Sequence, residues 1–458
     1  MNSFTMRLKQ LTFLLVAFAV LFPACQKDDP ATVPDTQLVK NEDAAVPVAW
    51  MKLFLELDRY AAGFRPGPCP RSLAYINMAA YESVMHGMPD FKSLQHLYPT
   101  LKLPSINSNE EYHWPTVVNA VYATSIKHFV PGNILLSAKQ IELQFKVLEL
   151  ERDFYNEFEP KVGAKVMERS KAHGEAVANA IWEWSKTDSF GDQAYLDPRP
   201  SGYTPPSGPG LWQPTPPDYN AALFPYWGKV RCMAIHEEDK LSNPPLNYSE
   251  DPNSLFFTQA NEVKNSVNNL DFNNQWIAEF WSDDFVGEMF SPPGRWISIA
   301  VQVIEKENAS LETALYALAK VSFALNDAGV ACWNSKYTYN VERPVTYIRR
   351  VMDPNWLPHW DSNPSFPAYP SGHATFGAAA AEVLSHIFGY NYAMTDNSHK
   401  DRTEFYGMPR SYETFYEMAE ENAYSRIPLG VHFRMDAEEG VRLGFKIGRK
   451  VNEMPFKK

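Results

Sequence analysis

Two histidines, three cations and a serine–glycine pair fall in three short blocks of this sequence. Residues 336–344 read KYTYNVERP, residues 370–373 read PSGH, and residues 425–436 read SRIPLGVHFRMD. Together they supply what a tetrahedral or trigonal-bipyramidal oxyanion needs, several cations and hydrogen-bond donors converging on one point. Lys336 and Arg343 are seven residues apart, two turns if the segment is helical, a spacing that would present both to one side. Arg426 adds a forked guanidinium. Ser371 and Gly372 open an apolar run that reads as a helix, where free N–H groups and the helix dipole favour an anion and glycine admits it closely. His432 is expected to be the axial partner of the central atom, as a metal ligand or as a nucleophile toward phosphorus, and His373 the acid–base group. PSGH alone equally fits a turn that opens a helix. The three blocks in this order carry the signal.

Helices must position these groups. Segments 72–87, 135–157, 161–187 and 310–331 carry apolar residues at three-to-four spacing, and strict alternation is scarce. A further helix runs from Ser371 to a C-cap at Gly389, and a last one spans 437–451, with Asp436 and Glu439 as its capping box. The fold class expected is all-α, in two helical-bundle halves. Residues 46–310 form the N-terminal half and 311–458 the half that carries the pocket. The proline-rich stretch 197–218 forbids regular helix, but Tyr203, Leu211 and Trp212 within it point to an ordered loop on the body, shaping the mouth of a site. His359 and His399 read as solvent-facing loop residues, and the remaining histidines as structural.

The chain has 458 residues with 45% hydrophobic and 21% charged, enough for a large globular core. Its net charge of −12 argues against nucleic acid as partner, though not against a local basic pocket. Arg7 and Lys9 precede an apolar run over 11–22 and then Pro23, Ala24 and Cys25. The run is too short to span a bilayer and has the flanks of a signal peptide. Small residues before a cysteine resemble a bacterial lipobox. That resemblance implies a signal peptide over 1–24, lipid on Cys25, a tether over 25–45 and an exported lipoprotein at the outer membrane or cell surface. A membrane is then met only through this N-terminal anchor. Cys69, Cys232 and Cys332 give no zinc signature and no disulfide framework, and leave room for one bridge.

The longer strings FPAYPSGHATFG, SRIPLGVHFRMDA and WNSKYTYNVERP resemble vanadium-dependent haloperoxidases, which share their pocket with type 2 phosphatidic acid phosphatases and bacterial acid phosphatases. The wording is similar to the fungal chloroperoxidase branch in particular. The likeness runs patchily from about residue 65 to 450 and is specific in about the last 130 residues. It implies vanadate as cofactor, held covalently only by His432, with Lys336, Arg343, Ser371, Gly372 and Arg426 on its oxygens and His373 assisting peroxide. Trp333 and Phe366 would belong to the pocket, Phe366 standing where some bromoperoxidases carry an extra histidine. FWSDDFVGEMFSPPGRW (280–296) resembles another family segment, in which Asp284 would brace Arg426. Pro428 departs from the pattern, where a larger apolar residue is expected.

The activity implied is oxidation of a halide by hydrogen peroxide. The same pocket also fits a vanadium-free acid phosphatase, a phosphomonoesterase in which His432 attacks phosphorus, because vanadate mimics the phosphoryl transition state. A non-enzymatic surface lipoprotein with a vestigial pocket is the third reading. It sits poorly with a motif set that has lost no charged or nucleophilic position.

Overall fold

The computed structural model describes residues 37–458. The expected signal peptide, Cys25 and the first part of the expected tether lie outside the described residues. The described end of that tether is packed rather than free. Leu38 and Val39 are buried, and the Leu311 N–H donates to the Glu42 carbonyl.

Thirteen α-helices follow among the described residues: α1 Ala45–Arg59, α2 Pro68–Ser83, α3 Trp114–Phe129, α4 Ser137–Val162, α5 Ala164–Ser185, α6 Leu255–Asn268, α7 Phe272–Phe280, α8 Pro292–Lys306, α9 Leu311–Tyr339, α10 Pro344–Val351, α11 Gly372–Phe388, α12 Phe415–Tyr424 and α13 Arg434–Asn452. The β structure is one short antiparallel pair, β1 Met394–Asp396 with β2 Arg410–Tyr412. The chain is all-α in class. No described helix is long and apolar enough to cross a membrane.

One apolar core runs from Val39 to Phe456 and joins both halves of the chain. At its centre lies α9, packed on α2 on one side and on α11 and α13 on the other. Nearly all of α9 is buried, which explains why its sequence is apolar around the whole cylinder rather than along one stripe.

The contact of α11 with α13 matters most for the site. Gly440, Gly444 and Gly448 recur every fourth residue, one face of a helix. They lie against Ser371, Thr375 and the alanines of α11. A Cβ on Gly440 would stand 2.7 Å from the Ala374 Cβ and 2.8 Å from the Ser371 carbonyl, and one on Gly448 would stand 2.6 Å from the Glu382 Cβ. Only glycine lets the two backbones approach this closely, and the approach brings the PSGH turn beside the start of α13.

Between α5 and α6 the chain has only short 3-10 turns, and the proline-rich segment is an ordered strap across α9. Trp212 is fully buried. Its N–H donates to the Asn340 carbonyl at 2.7 Å, and the Glu342 N–H donates to the Gly210 carbonyl at 2.9 Å. Cys69, Cys232 and Cys332 are free thiols.

Candidate active site

A cleft of about 440 Å³ opens where the loop after α7 meets the starts of α11 and α13. Gly372, His373, Arg426 and His432 line its floor, and Trp333, Phe366, Trp360 and Phe285 its walls. Pro198, Arg199, Asp218 and Asn220, at or beside the two ends of the strap, line it too. Lys336, Arg343 and Ser371 stand behind the floor.

Lys336 and Arg343 are brought together, but not along one helix. Asn340 takes a left-handed conformation (φ 50°) and ends α9, and Arg343 becomes the N-cap residue of α10. Asparagine tolerates that conformation, and Pro344 suits the first turn that follows. The Lys336 ammonium donates to the Pro367 and Ala368 carbonyls, both at 2.8 Å. Arg343 donates from Nε to the Phe366 carbonyl at 2.9 Å and from Nη1 to the Val431 carbonyl at 2.8 Å. Both cations thus grip the loop before PSGH while their charges stay at its inner face. Phe366 covers them, its ring 5.1 Å from the Lys336 ammonium and 5.0 Å from the Arg343 guanidinium carbon, and it packs on Trp333.

His432 is fixed from both sides. Nδ1 lies 2.9 Å from Asp436 Oδ2 and therefore carries the proton. Nε2 lies 3.2 Å from Arg343 Nη1 and therefore presents a lone pair. Burial, then Arg343, Lys336 and Arg426, hold this imidazole well below its ordinary pKa, so it is neutral. Asp436 does more than expected of a capping residue. α13 starts at Arg434, three residues earlier than the sequence indicated, and Asp436 sits within its first turn. There Oδ2 also accepts the Phe433 N–H at 2.9 Å. Glu439, the expected partner in the cap, instead accepts the Asn243 N–H at 2.7 Å.

His373 is buried, and its Nε2 lies 2.9 Å from the Ser282 carbonyl. That nitrogen therefore carries the proton and leaves Nδ1 as an acceptor. Burial and Arg426 push its pKa down to about 4. Arg426 donates to the Ser282 carbonyl at 3.3 Å and pairs with Asp284 at 2.5 Å. This is the pairing the sequence assigned to Asp284, although the carboxylate is 35% exposed and opens onto the cleft. Its recessed position works against ionisation, but Arg426 more than offsets this and holds it below the usual carboxylate range.

Several groups here have no protein partner. Arg343 Nη2 and Arg426 Nε are buried and unpaired. The N–H groups of Gly372 and His373, in the first turn of α11, meet no acceptor. The Ser371 oxygen accepts from the Ala374 N–H at the N-cap, which leaves its own hydrogen free. A Cβ on Gly372 would meet the Trp333 ring at an ordinary 3.6 Å, so no close neighbour requires the glycine. Burial lowers Arg343 to about 9 and pulls Lys336 below its ordinary range. Buried cations only partly balanced by Asp284 and Asp436, with unpaired donors and one neutral imidazole lone pair beside them, have the chemistry a small oxyanion would need. Among the described residues no group of three or more His, Cys, Asp or Glu could hold a bare metal ion.

Two histidines lie elsewhere than the sequence indicated. His399 is 3% exposed and paired with Asp283, and His359 is partly buried against Glu279. Neither faces open solvent. Asp283 and the Ser282 carbonyl escaped the sequence reading altogether. The adjacent aspartates at 283 and 284, before an arginine-bearing helix, were the available signal.

The fold and this floor define a helical protein with two buried histidines among three buried cations. Residues 316–457 match the family model described as the VCPO second helical-bundle domain. The vanadium chloroperoxidase of Curvularia inaequalis is 25% identical over 340 residues, which span 58% of this chain and 56% of that relative's own length. The structure described as the first bacterial vanadium-dependent iodoperoxidase aligns with a TM-score of 0.77 at 29% identity, over 91% of this chain and 98% of that one. A holo-type bacterial vanadium-dependent chloroperoxidase aligns with a TM-score of 0.66 at 16% identity, a likeness of fold, over 85% of this chain and 92% of that one. The chain is thus similar to vanadium haloperoxidases, in sequence over residues 316–457 and in fold over most of its length.

Proposed function

We propose that the protein is a vanadate-dependent haloperoxidase that uses hydrogen peroxide to oxidise a halide. The observation that carries this reading is the set of unpaired donors, Arg343 Nη2, Arg426 Nε and the first-turn N–H groups of α11, gathered where His432 presents a bare Nε2. His432 would hold vanadate through Nε2. Lys336, Arg343, Ser371, Gly372 and Arg426 would hold its oxygens. Bound vanadate supplies a Lewis-acidic centre that activates peroxide toward halide. His373 accepts or returns a proton at Nδ1. Asp436 keeps the His432 tautomer, and Asp284 holds the Arg426 fork. Trp333 and Phe366 shield the cations from bulk water, which strengthens each charge in the pocket.

The test is vanadium content and peroxide-dependent oxidation of iodide, bromide and chloride after loading with orthovanadate, beside hydrolysis of p-nitrophenyl phosphate by vanadium-free protein. Stoichiometric vanadium with halide turnover is expected. Phosphate-ester hydrolysis without halide turnover would replace this reading with the phosphomonoesterase.

Export and anchoring through a lipid on Cys25 form part of the same reading. They rest on the apolar run before that residue. Mass spectrometry of the membrane fraction is expected to find acylated Cys25, and an unmodified soluble N-terminus beyond it would overturn the anchor.

A further inference from the structure

Behind the Ser282 carbonyl lies a cluster of almost wholly buried polar side chains. Asp283 is 1% exposed and adopts φ 46°, a left-handed backbone that residues other than glycine, asparagine and aspartate seldom take. Its Oδ1 lies 3.0 Å from His399 Nε2, and its Oδ2 lies 3.8 Å from Arg295 Nε. The His399 ring is wedged between Phe290 and Phe405. Arg295 is fully buried under the Phe280 and Trp281 rings, and its Nε is 3.3 Å from Asp396 Oδ2. Asp396 is tied in turn to Gln302 at 3.1 Å and to the Ser398 N–H at 2.9 Å. The loop after β1, through His399, and α8, through Arg295, therefore meet at the Asp283 carboxylate, and β1 joins them through Asp396 on Arg295.

What the carboxylate holds is the turn. The residue before Asp283 supplies the carbonyl that meets His373 Nε2 at 2.9 Å and Arg426 Nη1 at 3.3 Å. That carbonyl decides which imidazole nitrogen carries the proton. If the turn relaxes out of the left-handed region, the peptide plane rotates and the acceptor leaves His373. The Ser282 hydroxyl is itself buried and unpaired, so it offers the turn no hold of its own.

We infer that Asp283 is a positioning residue for His373. Hydrogen-bonded by His399 and with the Arg295 charge 3.8 Å away, it holds the left-handed turn that aims the Ser282 carbonyl, and so keeps the His373 proton on Nε2 and Nδ1 bare. Asp283 borders the cleft, but its part here is through backbone geometry. The consequence for turnover rests on the haloperoxidase reading, whereas the tautomer does not.

The two are read separately. In vanadium-free full-length protein labelled with 15N-histidine, the ring-nitrogen shifts of His373, assigned through a His373→Gln variant, are expected to show the Nε2–H tautomer. Asp283→Ala and His399→Leu should both turn this into a mixture. His399→Gln should restore the parent pattern, because its amide can still donate to Asp283. In vanadium-loaded samples, Asp283→Ala should retain bound vanadium while halide turnover falls about 10-fold or more and the acid limb of its pH profile moves. An Nδ1–H tautomer in the parent, or an unaltered tautomer in a folded Asp283→Ala, overturns the inference. Should Asp283→Ala not fold, His399→Leu against His399→Gln carries the same comparison. A parent that shows the expected tautomers but no halide turnover would sink the haloperoxidase reading and leave the positioning role standing.

Discussion

Replacing His373 with alanine separates the site's two tasks, and the structure supplies the magnitudes. At pH 7 the imidazole is neutral, since burial and Arg426 hold its pKa near 4. Its removal therefore takes no charge from the floor, and Lys336, Arg343, Arg426 and His432, the proposed vanadate holders, remain. The structural loss is one buried hydrogen bond to Ser282, about 1 kcal/mol. The Ser282 carbonyl keeps its contact with Arg426. In a chain of this length about 1 kcal/mol corresponds to a fall in Tm of roughly 1 °C. The functional loss is that of an acid–base group, about 10²–10⁴ in turnover, or ~3–5 kcal/mol at the barrier. The second number dominates, so vanadium occupancy and Tm should stay near the parent values while halide oxidation collapses. A pH series adds a signed check. The folded pKa of His373 lies below its value of about 6.5 in the unfolded chain. Its stabilising contribution is therefore complete above about 6.5 and is lost as pH falls toward 4. The Tm advantage of the parent over His373→Ala should shrink across that window and then reverse. Bound vanadium, Tm and halide oxidation are measured on one sample. Full turnover at full occupancy would refute the acid–base role, and loss of vanadium would make His373 a holding group. If activity fell only in step with the folded fraction, its part would be packing.

His432→Ala is expected to abolish tight vanadate binding in calorimetry and leave the circular dichroism spectrum unchanged, and unaltered affinity would move the ligand to another residue. Asp284→Ala strips Arg426 of its one carboxylate ion-pair partner among the described residues. A fully buried pair costs about 3–5 kcal/mol to break, but the 35% exposure of Asp284 reduces this to roughly 1–2 kcal/mol. Activity and Tm should both fall, and parent values for both would refute the brace. Gly440→Ala places a Cβ 2.7 Å from Ala374 and is expected to cost about 1–3 kcal/mol by overpacking. It should also weaken vanadate binding by displacing the Ser371 turn from α13, and a variant with parent Tm and affinity would show that the two helices separate freely.

The residues that gather at the candidate floor were readable because the chemistry proposed there restricts residue type. Only cations, small residues at a helix start and histidine serve there, and each sits in a short block whose spacing survives as sequence. The long helices were readable from periodicity, with ends shifted by a few residues. What escaped depends on partners distant in the chain. His399 reads as a loop residue, since nothing local announces that Phe280, Phe290 and Phe405 will enclose it. Asp283 acquires its role from a backbone angle, which no residue type dictates. The end of α9 at Asn340 broke the helical relation drawn between Lys336 and Arg343, because the strap through Trp212 and Gly210 captures the backbone there. The glycine repeat at 440, 444 and 448 was present in the sequence as a sign of close helix contact and went unread.

The strap also bears on how the molecule comes into being. A ribosome releases Trp212, Ser282 and Asp284 before it has made Lys336, Arg343, Arg426 or His432. The wall that accepts the guanidinium of Arg426 is therefore synthesised more than a hundred residues ahead of that arginine, and the segment that pins the turn at Asn340 more than a hundred ahead of that turn. Charges that would be costly to bury alone thus emerge with their receiving surface already translated. A circular permutant that begins at α9 would reverse this order, delivering the cations first, and places the burden of keeping them soluble on the nascent chain.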